Sequence, residues 1–219
     1  MLSQTLLLAS NSPRRKQLLA LGGWNFTTAP ADIDESTLPG ESPRDYVMRL
    51  AEAKARASAR QAQPGQVVVG SDTSVIIDGD ILGKPADSAE AESMLRRLRG
   101  RTHQVFTGIA VLRPADGKLA LDLCITDVPM RAYSDDEIRA YVATGDPLDK
   151  AGAYAIQHPG FQPVASMSGC FSSVMGLPHC HLARLLRDFG IRPTADLPGN
   201  CQAFLKYQCP VFPSILGTG

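Results

Sequence analysis

Short apolar runs and helical periodicities alternate along the chain. Leu6-Leu7-Leu8 predicts a strand, and the Ser12-Pro13 pair that follows has the form of an N-cap and first-turn proline. The helix it opens would carry Leu18 and Leu19 inward and stop at Gly22-Gly23. Ser42-Pro43-Arg44-Asp45 opens a second helix, with Tyr46, Val47, Leu50 and Ala53 at helical spacing and Lys54 riding on it. Val67-Val68-Val69 and Ser74-Val75-Ile76-Ile77 read as two strand segments split by the insertion Gly70-Ser71-Asp72-Thr73. Asp78-Gly79 then signals a tight hairpin before Ile81-Leu82.

Ser88 to Arg99 predicts a helix with Met94, Leu95 and Leu98 on one face and Gly100 as its stop. Val105 to Leu112 and Leu119 to Ile125 predict a strand pair joined around Asp116-Gly117. Ser134-Asp135-Asp136-Glu137 is a capping box, and the last helix is expected after Pro178, with Leu182, Leu185, Leu186 and Phe189 before Gly190. Alternating strands and helices argue an α/β fold. After Arg192 the composition turns to Pro, Gly and scattered polar residues. The expectation is therefore a domain over residues 1–192 and a poorly ordered tail over 193–219.

Composition narrows the class. At 219 residues and 44% hydrophobic, the chain can bury a sizeable core without disulfides. Lys+Arg and Asp+Glu are both 22, and this zero net charge argues against a protein that coats nucleic acid. No apolar run approaches the roughly 18 residues that span a bilayer, so no membrane partner is expected. Thr5 to Ala9 is too short for the core of a signal peptide, and Arg14, Arg15 and Lys16 lie on its wrong side, so the expected compartment is the cytoplasm. The five cysteines are odd in number and lack CxxC spacing, the usage of reduced thiols.

Three constellations could carry chemistry. Ser10, Ser12, Arg14 and Arg15 stand where a helix N-terminus presents unpaired N–H groups, a seat for phosphates; a solvated helix start with two surface arginines is the alternative. Asp72, flanked by glycine and hydroxyls between apolar segments, suits a divalent cation or a water, or else a turn aspartate bonding its own backbone. Asp34-Glu35 offers further hard oxygen ligands or an exposed acidic loop. Lys84 in Gly83-Lys84-Pro85 can meet a phosphate as a point charge.

Several other chemistries find no support. Gly79 to Gly83 encloses three residues, not the four of a Walker A loop, and proline replaces its Ser/Thr; no G-x-G-x-x-G follows a strand; no G-x-S-x-G elbow exists. His158, His179 and His181, like the tail cysteines Cys201 and Cys209, lack a second ligand pair and read as ordinary side chains rather than a zinc site. Taken together, two acids for a metal and Arg14, Arg15, Lys54 and Lys84 for a polyphosphate suit metal-assisted phosphoanhydride hydrolysis.

Six motifs add a resemblance. Leu8-Ala9-Ser10-Asn11-Ser12-Pro13-Arg14-Arg15, Gly70-Ser71-Asp72-Thr73, Gly83-Lys84-Pro85, Thr102-His103-Gln104-Val105-Phe106-Thr107-Gly108, Asp149-Lys150-Ala151-Gly152-Ala153-Tyr154-Ala155-Ile156-Gln157 and Gly176-Leu177-Pro178 stand in the order of the Maf family, septum-formation-inhibitor-related nucleoside triphosphate pyrophosphatases. The resemblance covers about residues 4–190. It implies an α/β fold of Maf/ITPase type, a mixed sheet with flanking helices around a deep nucleotide-binding cleft, in a homodimer. It implies hydrolysis of a nucleoside triphosphate to the monophosphate and pyrophosphate with Mg²⁺ or Mn²⁺.

Carried over by position, Asp72 resembles the family's general base, with Glu35 as acidic partner at the metal. Ser10, Arg14, Arg15, Lys54 and Lys84 resemble its phosphate-side residues. The branch acting on dTTP and UTP carries an arginine, a threonine and a glutamine at positions that here are Arg14, Thr73 and Gln157, while the branch acting on 7-methyl-GTP differs at the last two. After Gln157 this chain has His158-Pro159-Gly160-Phe161 where the family is richer in glycine. Two classes of function follow: a dTTP/UTP pyrophosphatase that cleans the nucleotide pool, or a nucleotide-sensing regulator of septum formation. Asp72 with Glu35 and Lys54 favours chemistry, since a sensor needs only the phosphate cradle.

Overall fold

The structure, a computed structural model, describes residues 5–217. Strand β1 (Leu6–Leu8) leads into helix α1 (Pro13–Ala20), whose N-cap Ser12 accepts from the Arg15 backbone N–H. Strand β2 (Phe26–Thr28) and helix α2 (Pro43–Ala59), capped by Ser42, follow. Next come β3 (Val67–Ile77), β4 (Asp80–Leu82), α3 (Ser88–Leu98), β5 (Thr102–Arg113), β6 (Lys118–Pro129) and α4 (Asp135–Val142), the last opened by the Ser134/Glu137 capping box. Two single-turn helices (Asp146–Asp149 and Ala151–Ala153), α5 (Phe171–Val174) and α6 (His179–Arg187) complete the part covered by the six motifs.

The sheet is mixed, in the order β2-β1-β3-β5-β6 with β4 also on β3. β1 runs parallel to β2 and β3, while β5 and β6 are antiparallel to their neighbours. One departure from the sequence reading decides where the site lies. Residues 70–73, expected as an insertion between two segments, are strand, so β3 is continuous for 11 residues. β5 lines one edge of β3 from Val68 to Ile76. The other edge is shared: β1 covers Val67–Val69, and β4 covers Val75–Ile77. Gly70, Ser71, Asp72, Thr73 and Ser74 therefore face a window in that edge, where neither strand pairs with them.

Helix α2 lies directly on this part of the sheet. A Cβ on Gly70 would sit 2.2 Å from the Ala51 carbonyl oxygen, and one on Gly108 2.6 Å from that of Val47. Only glycine admits so close an approach. The helix buries Val47, Leu50, Ala51 and Ala55, the larger of which contribute about 1.5–3 kcal/mol each. On the opposite face, α1 and α6 pack Leu18, Leu19, Leu182, Leu185 and Leu186 against Leu6, Leu8, Val67, Val69 and Ile109.

The segment after Arg192 differs from the poorly ordered tail expected. It forms α7 (Leu197–Leu205) and α8 (Phe212–Leu216), so α6 is not the last helix. Asp196 caps α7 by accepting from the Gly199 N–H, and Leu197, Cys201 and Leu205 join the core under α6. Proline and glycine at the first turn of a capped helix mislead a reading by composition. Residues 218 and 219 of that segment lie outside the described residues. Among the described residues no helix is long and apolar enough to cross a membrane.

Candidate functional site

Asp72 and Thr73 sit in the window of β3 and, as neighbours on a strand, point to opposite faces. On the α2 face, Lys54 Nζ donates to Asp72 Oδ1 at 2.6 Å and pairs with Glu35 Oε1 at 2.7 Å. Both side chains of the Lys54–Asp72 pair are about nine-tenths buried, while Glu35 is half-exposed. Glu35 lies on a loop tied to α2: the Tyr46 hydroxyl donates to its carbonyl at 2.8 Å, and Arg49 holds Ser36 O at 3.0 Å while forming a fork on Glu41. Partial burial pushes the Glu35 carboxyl up, but Lys54, with Lys84 and Arg15 beyond it, holds it below its ordinary value overall.

On the other face, Arg15 reaches back from α1. Its Nε donates to Gly176 O at 2.9 Å, Nη1 to Ser10 Oγ at 3.4 Å and Nη2 to Thr73 Oγ1 at 3.3 Å. Burial lowers the Arg15 pKa, the charge of Asp72 opposes that fall and Arg14 adds to it. Gly176 has φ +105° and its oxygen also accepts from Ser71 Oγ at 3.0 Å, so the turn presents one carbonyl to two donors. A side chain there would be strained, and its Cβ would crowd Arg15 Nε at 3.3 Å and Thr73 Oγ1 at 3.5 Å. Behind Thr73 stands fully buried Thr107 on β5.

Sequence-predicted residues thus separate into three groups. Ser10, Arg15, Lys54, Asp72, Thr73 and Glu35 are joined by the contacts just described. Arg14 and Lys84 are near enough for their charge to be felt at Arg15 and Glu35, but form no ion pair among the described residues. Four cations against two carboxylates leave the window positive, as a polyphosphate requires. Gln157 is exposed in a turn, and its amide makes no hydrogen bond among the described residues. The histidines are engaged separately: His179 with the Leu18 carbonyl, His181 with Asp122 at 3.0 Å, and His158 as acceptor from the Phe161 N–H at 3.0 Å. Tyr46, Arg49, Ser71 and Thr107 were missed as participants, because only the folded sheet and α2 bring them to the window.

Among the described residues no cluster of three or more His, Cys, Asp or Glu could enclose a metal ion. The donor set that exists is Asp72 with Glu35. Each gives one oxygen to Lys54, leaving Asp72 Oδ2 and Glu35 Oε2 without hydrogen-bond partners among the described residues. A magnesium-like ion keeps several waters and takes one or two carboxylates plus substrate phosphates, so two acids fit that ion when a triphosphate completes the shell.

A family model described as "Maf-like protein" matches residues 5–189. A protein named dTTP/UTP pyrophosphatase in Geobacter sp. (strain M21) is 46% identical over 190 residues, covering 87% of this chain and 98% of that protein. One of the same name in Anaeromyxobacter dehalogenans (strain 2CP-C) is 49% identical over 187 residues, 84% of this chain and 94% of that one. Another in Hahella chejuensis (strain KCTC 2396) is 46% identical over 193 residues, 87% and 95%. Helices α7 and α8 lie beyond the matched range.

Proposed function

The chain belongs to the Maf-like protein family, and from that premise we propose that it hydrolyses dTTP and UTP to the monophosphate and pyrophosphate. The regulatory reading is not favoured, because relatives that align over nearly their whole length carry the pyrophosphatase name.

The observation that carries the proposal is Asp72 in the window, with Oδ1 tied to Lys54 and Oδ2 without a hydrogen-bond partner among the described residues. In this reading Asp72 Oδ2 takes the proton of a water that attacks phosphorus, and Lys54 keeps the carboxylate aimed. The bond between the α and β phosphates breaks and pyrophosphate leaves. Ser10, Arg14, Arg15 and Lys84 hold phosphate oxygens beside the N-terminus of α1, neutralising the charge that develops on the leaving group. Asp72 and Glu35 would hold a Mg²⁺ or Mn²⁺ ion, which supplies Lewis-acid stabilisation of phosphate oxygens and lowers the pKa of bound water. Thr73 and Gln157 select the base. A glutamine amide carries two N–H donors, so Gln157 can donate to a carbonyl of thymine or uracil. A homodimer is supported by the half-exposed apolar stripe Leu121, Leu123 and Ile125 along β6, the outermost strand.

The deciding experiment is Asp72→Asn, assayed for pyrophosphate release from dTTP with Mg²⁺ present. Turnover should fall ~10²-fold or more with the fold intact by circular dichroism. Near-normal turnover would remove Asp72 from the chemistry.

A further inference from the structure

The hydroxyl groups behind the window form a chain with a fixed direction. Thr107 Oγ1 donates to Ser173 O at 2.9 Å. A carbonyl only accepts, so that bond consumes the single hydrogen of Thr107. Thr73 Oγ1 lies 3.1 Å from Thr107 Oγ1, opposite it in the β3–β5 register, and the hydrogen between them must therefore come from Thr73. Arg15 Nη2, which can only donate, takes one lone pair of Thr73 Oγ1. What remains on Thr73 is one lone pair and no hydrogen. Thr107 is fully buried and Thr73 only half-buried, so that lone pair is the part of the chain a ligand can reach.

We infer that Thr107 is a specificity-determining positioning residue: through its bond to Ser173 O it fixes Thr73 as a hydrogen-bond acceptor, so that the ligand atom meeting Thr73 must be an N–H or O–H. A threonine hydroxyl free to rotate would greet donor and acceptor alike. The inference rests on the reading that Thr73 faces the nucleotide base. Under it the N3–H of uracil or thymine satisfies the lone pair, whereas the bare N3 of cytosine sets lone pair against lone pair. Leaving such a group unpaired out of water gives about a tenfold or greater preference for UTP over CTP.

The test compares kcat/KM for UTP and CTP in the wild type, Thr107→Val and Thr107→Ser. Valine keeps the shape but frees the Thr73 hydrogen, and the UTP-to-CTP ratio should fall about tenfold; serine rebuilds the chain and should restore it. A ratio unchanged in Thr107→Val, or not restored in Thr107→Ser, overturns the inference, as does an equal loss on both substrates, which a purely structural role would produce. Should a thermal melt show the valine protein unfolded, Thr107→Ala, which also removes the hydroxyl, is measured in its place and judged by the same ratio. Thr73→Val separates this inference from the reading beneath it. If that variant leaves the ratio alone, Thr73 does not meet the base and both fall. If it shifts the ratio while Thr107→Val does not, only the relay is wrong.

Discussion

The two faces of β3 meet at the same window but are held together by opposite physics. On the α2 face a single ammonium is shared between two carboxylates, one buried on a strand and one half-exposed on a loop. On the α1 face no carboxylate takes part among the described residues: one guanidinium, four hydroxyls and two backbone carbonyls are joined by directional hydrogen bonds. Charge attracts from any direction and tolerates a metal or a phosphate arriving. Hydroxyl chains are short-ranged and have polarity. The first arrangement suits groups that trade partners during a reaction, and the second suits recognition, where a wrong donor or acceptor must be refused.

The largest expected effect breaks the charged face. Lys54→Met leaves the Asp72 carboxylate buried without its cation, which should cost about 3–5 kcal/mol of unfolding free energy in urea titrations. A loss under about 1 kcal/mol would mean that water or Arg15 already satisfies Asp72, and that the contrast between the faces is weaker than drawn.

Acid should sharpen the comparison by weakening the two faces in different windows. His179, wholly buried beneath α1 with its ring on the Leu18 carbonyl, has its pKa pushed down to about 4 by burial, from 6.5. Below pH 6.5 the unfolded chain takes up a proton that the folded chain refuses, so stability falls as pH drops from 6.5 towards 4, by up to about 3 kcal/mol. Glu35, held below its ordinary 4.5 despite partial burial, contributes stability that is lost only under pH 4.5. Unfolding free energy measured between pH 7 and 5 should therefore decline in the wild type and decline less in His179→Gln. His103, also pushed to about 4, adds a slope in the same window that both proteins share. Identical slopes in the two proteins would show that His179 accepts its proton without cost.

The smallest effect concerns base selection at the rim. Gln157→Glu removes the donors and places a carboxylate against a carbonyl, so the preference for dTTP and UTP over CTP and GTP in kcat/KM should fall about tenfold. An unchanged preference would leave selection to the hydroxyl chain behind Thr73 alone.

Much of this was legible in one dimension because it depends on local chemistry. Ser12-Pro13 and Ser42-Pro43 cap α1 and α2 as read, Asp78-Gly79 makes its hairpin, and the Ser134 capping box is formed. Ser10, Arg15, Asp72 and Thr73 stand in the motifs, and Lys54 and Glu35 were visible as charged candidates, so all six could be named before any geometry. The strand break at Gly70-Ser71-Asp72-Thr73 and the loose tail were misread for one reason. Polarity and glycine stood in for disorder, whereas Gly70 is there to admit α2, and Leu197, Cys201 and Leu205 find a core supplied from residues far away in sequence.

Tertiary structure alone decided that β1 and β4 would share one edge of β3 and leave five residues between them unpaired. It alone put Lys54 between Glu35 and Asp72, and stacked Arg15, Thr73, Thr107 and Ser173 in donor-to-acceptor order. Capping and turn chemistry act within four residues and are written in the sequence as neighbours. The window and the direction of its hydrogen bonds depend on strand register and helix seating, which join residues up to 161 apart and become physical only once the sheet closes.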